Sequence, residues 1–242
     1  MIETVQPQWP APAAIRACCT TRVGGVSEAP FESLNLGLHV GDVDARVIEN
    51  RERLQRQLKL PTEPAWIRQI HGTRVVVLGQ NRGREADAAI TRQTGVVAVV
   101  LVADCLPILL CNQAGTEVAA VHAGWRGLQA GVIEATLDRM QSPGDRLMAW
   151  IGPGISQPFF EVGDEVRSAF VESMPGARDY FRANNNHRWQ CDLPGLAELR
   201  LNRRGIARVF RDPHCSYRDA GMFYSHRRDA TTGRMAALIW IR

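Results

Sequence analysis

Residues 96–103 are all apolar, and most of them are Val. A continuous run of this kind is typical of a strand that is buried on both faces of a sheet. It stops just before the Asp104-Cys105 pair, and a second strand, predicted over 117–121, stops just before His122. Because the ends of neighbouring strands can meet at one rim of a sheet, we expect Cys105 and His122 to lie close together.

A third polar side chain, His71, lies in a predicted tight turn over 69–72. Sulfur and nitrogen ligands suit Zn2+, and three protein ligands with one open position are the pattern of a catalytic zinc site. The sequence separations, 34 residues and then 17, match no short metal-binding signature. A cysteine and a histidine can also act without metal, as a thiolate nucleophile and its base. The residue types alone leave both possibilities open.

Asp104 directly precedes Cys105 in the chain. Its carboxylate is a candidate partner for a ligand histidine, or a candidate proton carrier in catalysis. A carboxylate that only caps a turn explains the same residue equally well.

The rest of the chain predicts strands and helices without a regular βαβ alternation. A helix is expected to begin near Asp44 and to keep Val47, Leu54 and Leu58 on one stripe until Pro61 stops it. The mixture favours the α+β class, with a layered α/β/α architecture and a mixed sheet. Further strands are predicted over 15–21, on both sides of the turn within 66–78, and over 108–112, 147–151, 207–210 and 235–241; further helices are predicted over 128–140, 164–173 and 193–204.

The chain has 242 residues, of which 45% are apolar, and it contains no linker-like or repeated segment. We therefore expect one domain over 1–242. Asp104 and Pro107 interrupt the longest apolar stretch, which argues against a membrane span. The first residues show no secretory signal, and the six cysteines include no C-x-x-C pair. These features predict a soluble cytoplasmic protein with free thiols.

The net charge of +4 arises from 29 basic residues, spread along the chain, and 25 acidic ones. A surface that binds nucleic acid needs clustered cations, so this spread argues against a nucleic-acid partner. The sequence also lacks an isolated amphipathic or aromatic stripe. We expect no membrane contact and no obligate protein partner.

From about residue 15 to the C-terminus the chain carries a series of specific short motifs. They are Thr20-Thr21-Arg22 with Gly24-Gly25-Val26-Ser27, the loop from Asn35 to Asp42, Gln69-Ile70-His71-Gly72, Ala103-Asp104-Cys105-Leu106-Pro107, His122-Ala123-Gly124-Trp125-Arg126-Gly127, Ile151-Gly152-Pro153-Gly154-Ile155, Glu161-Val162-Gly163, Asp192, Gly205-Ile206, Ser225-His226-Arg227-Arg228-Asp229 and Thr232-Gly233-Arg234. With these motifs the sequence resembles the YfiH/YlmD family, whose members are called laccase-domain, polyphenol oxidase or peptidoglycan editing factor proteins and are related to the human FAMIN protein.

The resemblance implies a zinc site made of His71, Cys105 and His122, with copper as the alternative metal. It implies a fold similar to that of cysteine-dependent toxin deamidases. The activity that it implies is phosphorolysis of adenosine, inosine and methylthioadenosine to the base and ribose 1-phosphate, with some deamination of adenosine. Three positions depart from the family pattern: Phe159-Phe160 replaces a common Cys-Tyr pair, and His226 replaces a common Tyr.

Phosphorolysis requires an anion-binding site and a general acid. Arg22, Arg126 and Arg227 each lie inside a matching motif and are candidates to bind phosphate, although Arg126 and Arg227 could simply brace their loops. Asn35 and His39 lie in another motif loop and are candidates to bind the ribose or the base, although turn chemistry alone also explains an Asn there.

Three other functions remain to be weighed. A multicopper oxidase would need more imidazoles than the six His of this chain, and no His-x-His pair is present to bridge metal ions. A Cys/His hydrolase acting on cell-wall precursors would use Cys105 with His71 or His122. A non-enzymatic binding partner would need an exposed apolar surface, for which the sequence gives no sign.

Overall fold

The structure, a computed structural model, describes residues 1–79 and 85–242. The strands in these residues are β1 (Thr4–Val5), β2 (Ile15–Thr20), β3 (Val75–Val77), β4 (Ala88–Thr91), β5 (Ala98–Val102), β6 (Leu106–Asn112), β7 (Val118–Ala123), β8 (Leu147–Ile151), β9 (Glu161–Val162), β10 (Phe181–Ala183), β11 (Trp189–Cys191), β12 (Val209–Arg211) and β13 (Met235–Ile241). The helices are α1 (Asp44–Leu58), α2 (Trp125–Ala130), α3 (Val132–Leu137), α4 (Asp164–Ser173), α5 (Leu193–Arg203) and α6 (His226–Asp229), with short 3-10 turns at Gly144–Arg146, Gln157–Phe159 and Ala177–Tyr180.

Two large sheets and one small sheet contain these strands. The six-stranded sheet has the order β12-β8-β6-β7-β4-β3 and is mixed, because the pairs β12-β8 and β3-β4 are parallel while the inner pairs are antiparallel. The second sheet, β1-β2-β13-β5, is antiparallel throughout. Strands β10, β11 and β9 form the small antiparallel sheet.

The two large sheets pack against each other through a shared apolar core. Side chains alternate between the two faces of a strand, so Leu109 of β6 joins Val100 of β5 and Ala237 of β13 in this core. The other face of the six-stranded sheet packs against α2, α3, α4 and α5. The other face of the four-stranded sheet packs against α1, through Leu54. The α+β class and the mixed sheet are confirmed, and the β layer proves to consist of two sheets.

The apolar run at 96–103 contains β5. From the sequence we expect this strand and the one that ends near His122 to be neighbours in one sheet, but the structure places them in different sheets. β5 pairs with β13 in the antiparallel sheet, whereas β6 and β7 pair with each other in the mixed sheet. The chain therefore crosses from one sheet to the other between β5 and β6, and Cys105 lies at this crossing. His122 lies inside β7, one residue before the strand ends.

Two predicted elements differ from the structure. The helix predicted over 128–140 begins earlier, at Trp125, and it is interrupted at Gly131, whose φ of 98° is left-handed. The strand predicted before the 69–72 turn does not form. In its place, the side-chain amide of Gln69 pairs with the main chain of Leu101, with Nε2 to O at 2.8 Å and N to Oε1 at 2.7 Å. A primary amide has the donor and acceptor of a peptide group, so it replaces one step of a ladder.

The short elements β1, β4, α6 and the strands of the small sheet were not predicted, because each has at most four residues and shows too little of a periodic pattern. Among the described residues, no helix combines the length and the apolar character that are needed to cross a membrane.

Candidate metal centre

Three side chains from three different segments meet at the crossing between the two large sheets. His71 lies in the loop before β3, Cys105 lies between β5 and β6, and His122 lies in β7. Their potential ligand atoms all lie within 4.8 Å of one another. In the part of the chain that the structure describes, this is the one group of three or more His, Cys, Asp or Glu residues that could hold a metal ion. The expected proximity of these residues is present in the structure.

The register of the β6-β7 ladder explains why Cys105 and His122 lie close together. In the β6-β7 ladder Pro107 pairs with His122, so Cys105 lies two residues beyond this pair. Gly124, just past the end of β7, lies against the side chains of Cys105 and His71. A Cβ atom added to Gly124 would lie 2.9 Å from Sγ of Cys105 and 3.2 Å from Cδ2 of His71. The absence of a side chain at position 124 therefore allows the ligand turns to approach each other.

The site contains a buried carboxylate, Asp87, that was not predicted from the sequence. Its side chain is fully buried. One oxygen lies 2.9 Å from Nδ1 of His122 and accepts a hydrogen bond from the N–H of His71 at 2.9 Å. The other oxygen accepts from the N–H groups of Gly72 at 2.7 Å and of Ile70 at 3.3 Å. Because an ionised carboxylate only accepts, Nδ1 of His122 carries the proton and its Nε2 is left free to bind a metal ion.

The backbone of His71 has a left-handed φ of 57°. Successive N–H groups point towards one anion when a left-handed residue interrupts the chain in this way. Asp87 is that anion, and it stabilises a conformation that is unfavourable for a side chain such as His. One carboxylate thus orients two of the three candidate ligands.

The charges of the site are strongly coupled. Burial raises the pKa of the Cys105 thiol, but the charge and hydrogen bond of His122, with those of His71, outweigh it and lower that pKa to about 6. Burial lowers the pKa of His122, but Cys105 and Asp87 outweigh it and raise that pKa to about 9. Without metal, therefore, Cys105 and His122 form a thiolate-imidazolium pair near pH 7.

This lowered pKa predicts a selective alkylation. In metal-free protein we expect the rate of Cys105 alkylation by iodoacetamide to reach half its maximum near pH 6, because the thiolate is the reacting form. The other five cysteines are buried, and burial raises the pKa of Cys18 and of Cys111 to about 12. Mass spectrometry of the labelled peptides measures each site, and Cys105→Ala serves as the control. A half-maximal rate near the ordinary thiol pKa would contradict the prediction.

Asp104 was a candidate to bind a ligand histidine, but the structure gives that contact to Asp87. The carboxylate of Asp104 instead accepts hydrogen bonds from Oγ of Ser216 and from the N–H of Arg227, both at 2.6 Å. Its φ of 84° is left-handed. Asp104 therefore ties the Cys105 segment to Ser216 and to the first turn of α6, and its part in proton transfer stays a prediction.

A cavity of about 260 Å³ opens beside the candidate ligands. Two of the predicted phosphate-binding residues line it. Arg126 is exposed and its guanidinium lies 4.5 Å from the ring centre of Trp125. Arg227 lies 5.2 Å from the ring centre of Phe160, and its Nη1 donates to the carbonyl of Glu161 at 2.8 Å. The lining comprises His71, Ala103, Asp104, Cys105, Gly124, Trp125, Arg126, Ile155, Phe160, Leu193, His226 and Arg227.

Two other candidates do not line this cavity. Arg22 donates to the carbonyls of Glu32 at 2.8 Å and of Ala220 at 3.2 Å. The buried amide of Asn35 is committed to the Gly37 backbone, to the N–H of Arg234 and to Asp42. Both side chains therefore brace loops.

His39, the last candidate, is exposed and is not part of the cavity lining. It nevertheless lies close enough to the centre for His71 and His122 to shift its pKa. Burial lowers the pKa of His39, and Arg234, Arg51, His71 and His122 lower it further.

Similarity to known proteins extends over almost the whole chain. The model of a family described as multi-copper polyphenol oxidoreductase laccase matches residues 16–242. A purine nucleoside phosphorylase from Pseudomonas aeruginosa is 49% identical over 237 residues, which cover 98% of this chain and 97% of the relative. The Escherichia coli K12 protein named purine nucleoside phosphorylase YfiH is 45% identical over 243 residues, which cover 100% of both chains.

Solved structures have the same fold. A crystal structure of a Neisseria meningitidis protein superimposes with a TM-score of 0.93 at 45% identity and covers 98% of both chains. YlmD from Geobacillus stearothermophilus superimposes with a TM-score of 0.91 at 29% identity, covering 99% of this chain and 96% of the other. Since the family model and these relatives span nearly all of its residues, the chain belongs to the YfiH family, whose model is described as multi-copper polyphenol oxidoreductase laccase.

Proposed function

We propose that this protein is a zinc-dependent purine nucleoside phosphorylase that acts on adenosine, inosine and methylthioadenosine, with deamination of adenosine as a side activity. The observation that carries the proposal is the convergence of His71, Cys105 and His122 beside a cavity. Relatives that are named purine nucleoside phosphorylase support it. We also propose that residues 1–242 act as one catalytic domain in the cytoplasm, and the core shared by the two large sheets supports a single unit.

The donor set supports zinc as the metal. Two imidazoles and one thiolate are borderline-soft ligands, which suit Zn2+ and leave one position for substrate. Two of the three candidate ligands, His71 and His122, are held in place by Asp87, as expected for a built metal site. When bound, the metal would supply Lewis-acid stabilisation of negative charge. Copper is the alternative metal, but a multinuclear copper centre would need more ligands than the one three-residue group found among the described residues.

The cavity supports a nucleoside as the substrate. Its volume of about 260 Å³ is near the lower end of the range for small-molecule sites, roughly 300–1,000 Å³. Trp125 and Phe160 provide aromatic surface for a purine ring, and Ile155 and Leu193 provide apolar walls. Arg126 and Arg227 add positive charge near these walls.

Phosphorolysis then proceeds by one exchange of bonds. An oxygen of phosphate forms a bond to C1' of the ribose, and the bond from C1' to the purine nitrogen breaks with its electron pair. The leaving base takes up the proton that HPO4²⁻ brings into the site, so the products are the free base and the dianion of ribose 1-phosphate. The protein must bind two substrates in line and stabilise the developing charge.

The test of this function compares products with and without phosphate. Protein of known metal content is incubated with inosine or adenosine, and the products are separated by chromatography. We expect free base and ribose 1-phosphate only when phosphate is present, and inosine from adenosine in either case. Chelated protein, reconstituted with Zn2+, provides the metal control. Base release that is independent of phosphate, or no release at all, would overturn the phosphorylase assignment.

A second candidate function follows from the thiolate-imidazolium pair. A Cys105 thiolate beside His122 is the arrangement of a metal-free Cys/His hydrolase, including one that edits cell-wall precursors. This function predicts turnover that survives chelation and is lost on alkylation of Cys105. The zinc enzyme predicts that chelation alone abolishes turnover and that returning Zn2+ restores it.

A further inference from the structure

A second group of cationic side chains lies near the candidate metal centre, outside the cavity lining. Arg234 directly precedes β13 and is partly buried. Its Nη1 donates to the carbonyls of Thr232 and Gly233, both at 2.9 Å. Within the described chain, its Nε and Nη2 make no hydrogen bond and no acidic side chain pairs with it. Arg234 is therefore held in place at one nitrogen while its other donors are free.

His39 lies beside Arg234, because both side chains pack against Gly37. A Cβ atom added to Gly37 would lie 2.9 Å from Cγ of Arg234 and 3.4 Å from Cε1 of His39. The glycine thus allows the imidazole and the guanidinium stem to approach the same point from two sides. Asn35 holds this segment to the start of β13, because its side-chain oxygen accepts a hydrogen bond from the N–H of Arg234 at 3.0 Å.

Both side chains lie within electrostatic range of the charged groups of the candidate metal centre. Burial lowers the pKa of Arg234, while Cys105 and Asp104 act to raise it, so the guanidinium lies within electrostatic range of both acidic groups. His71 and His122 lower the pKa of His39, so its imidazole also lies within electrostatic range of the centre. The carboxylate of Asp104 is already occupied by two hydrogen bonds. Because no acidic side chain among the described residues pairs with Arg234, its positive charge is available to an anionic ligand.

We propose that Arg234 and His39 form the subsite that binds inorganic phosphate next to the metal centre. An arginine presents donors in a planar fork that matches phosphate, and a neutral imidazole adds one more donor. Arg126 is less suited to this task, because it is exposed and no hydrogen bond anchors its guanidinium among the described residues. This inference rests on the proposed phosphorolysis for its substrate.

The test uses five variants of the metal-loaded protein, of which Arg126→Met probes the exposed arginine of the cavity as the alternative. Arg234→Met removes the charge and Arg234→Lys keeps it without the fork. His39→Gln alters an exposed residue and should leave the fold intact. Arg16→Met is the matched control: Nη1 of Arg16 also holds two carbonyls, those of Ala13 and Ile15, and Arg16 lines a different cavity. Circular dichroism and thermal melting verify folding of each variant.

For Arg234→Met we expect the KM for phosphate to rise about 10- to 100-fold, as for the loss of hydrogen bonds to a charged group. The KM for nucleoside should change less than about twofold, since the two substrates bind separately. Arg234→Lys should recover part of the loss, and His39→Gln should raise the KM for phosphate by a smaller factor. Arg16→Met should behave as the parent protein.

Calorimetric titration with phosphate alone provides a measurement that does not depend on turnover. If the parent protein binds phosphate, Arg234→Met does not, and no base is released, the subsite stands and the phosphorylase assignment fails. The subsite is wrong if Arg234→Met and His39→Gln bind phosphate as tightly as the parent does, or if Arg16→Met weakens binding as much. It is also wrong if Arg126→Met, and not Arg234→Met, raises the KM for phosphate. Should Arg234→Met fail to fold, His39→Gln and Arg234→Lys decide.

Discussion

Cys105→Ala is expected to lose its metal and at least about three orders of magnitude in kcat/KM, because Lewis-acid stabilisation by a metal is worth several kcal/mol. Cys105 supplies the only sulfur of the candidate centre. The remaining imidazoles make a two-ligand site, which binds Zn2+ far more weakly than three ligands do. Elemental analysis after gel filtration measures the metal, and the phosphate-dependent release of base measures the activity.

The matched control for this variant is Cys111→Ala. Cys111 is a buried core cysteine in β6, outside the centre. Its replacement should cost about 1 kcal/mol of stability through a small cavity and should leave the metal content unchanged. His71→Asn complements both, because it removes an imidazole while Asn tolerates the left-handed φ of this position. If Cys105→Ala retained metal at the parental level, the triad would not be the metal centre.

The second large effect is expected for Asp87→Asn. The buried carboxylate accepts hydrogen bonds from three backbone N–H groups and one imidazole. An amide can accept at its oxygen alone and would place its NH2 group against backbone donors. We expect the free energy of unfolding to fall by about 2–4 kcal/mol. Affinity for Zn2+ should fall about 10- to 100-fold, because His122 and the His71 turn lose their orientation.

Competition with a zinc-binding dye measures the affinity, and denaturant titration measures the stability. Asp212→Asn is the matched control, since Asp212 is another buried carboxylate that bonds Nδ1 of a histidine, His214, at 2.7 Å. It should lower stability without changing the affinity for Zn2+. Asp87 has no positioning role if its Asn variant binds Zn2+ as tightly as the Asp212 variant does.

Much of the candidate centre could be predicted from sequence, because its ligands follow local patterns. Cys105 and His122 stand at or beside the ends of apolar strands, and His71 stands in a polar turn. Asp87 had no comparable signal. It precedes β4, a short strand of mainly small residues, and its partners lie 15 to 35 positions away in the chain. Because histidine ligands usually bond a carboxylate, a partner of this kind is expected. The expectation does not identify which Asp or Glu provides the carboxylate.

Tertiary structure also distinguishes the candidate substrate-binding residues that line the cavity from those that do not. Arg22, Arg126 and Arg227 look alike in sequence, each being an arginine in a family motif. In the structure, Arg126 and Arg227 line the cavity, while the Nε and Nη1 donors of Arg22 bond carbonyls away from it. Arg234, also inside a motif, was not singled out. A long side chain can reach either a loop or a site, and only its surroundings decide between them.

Sequence alone determined the α+β class, most of the long strands and the three candidate ligands, since these depend on burial patterns and turn residues within short windows. Tertiary structure decided how the strands divide between two sheets, and hence that Cys105 lies where the chain crosses between them. It also decided which carboxylate holds His71 and His122. These outcomes depend on contacts between distant segments, whose energies are small individually and select one arrangement only when all of them form together. The ligands of the candidate metal centre can therefore be predicted from short segments of sequence, whereas its geometry depends on the whole fold.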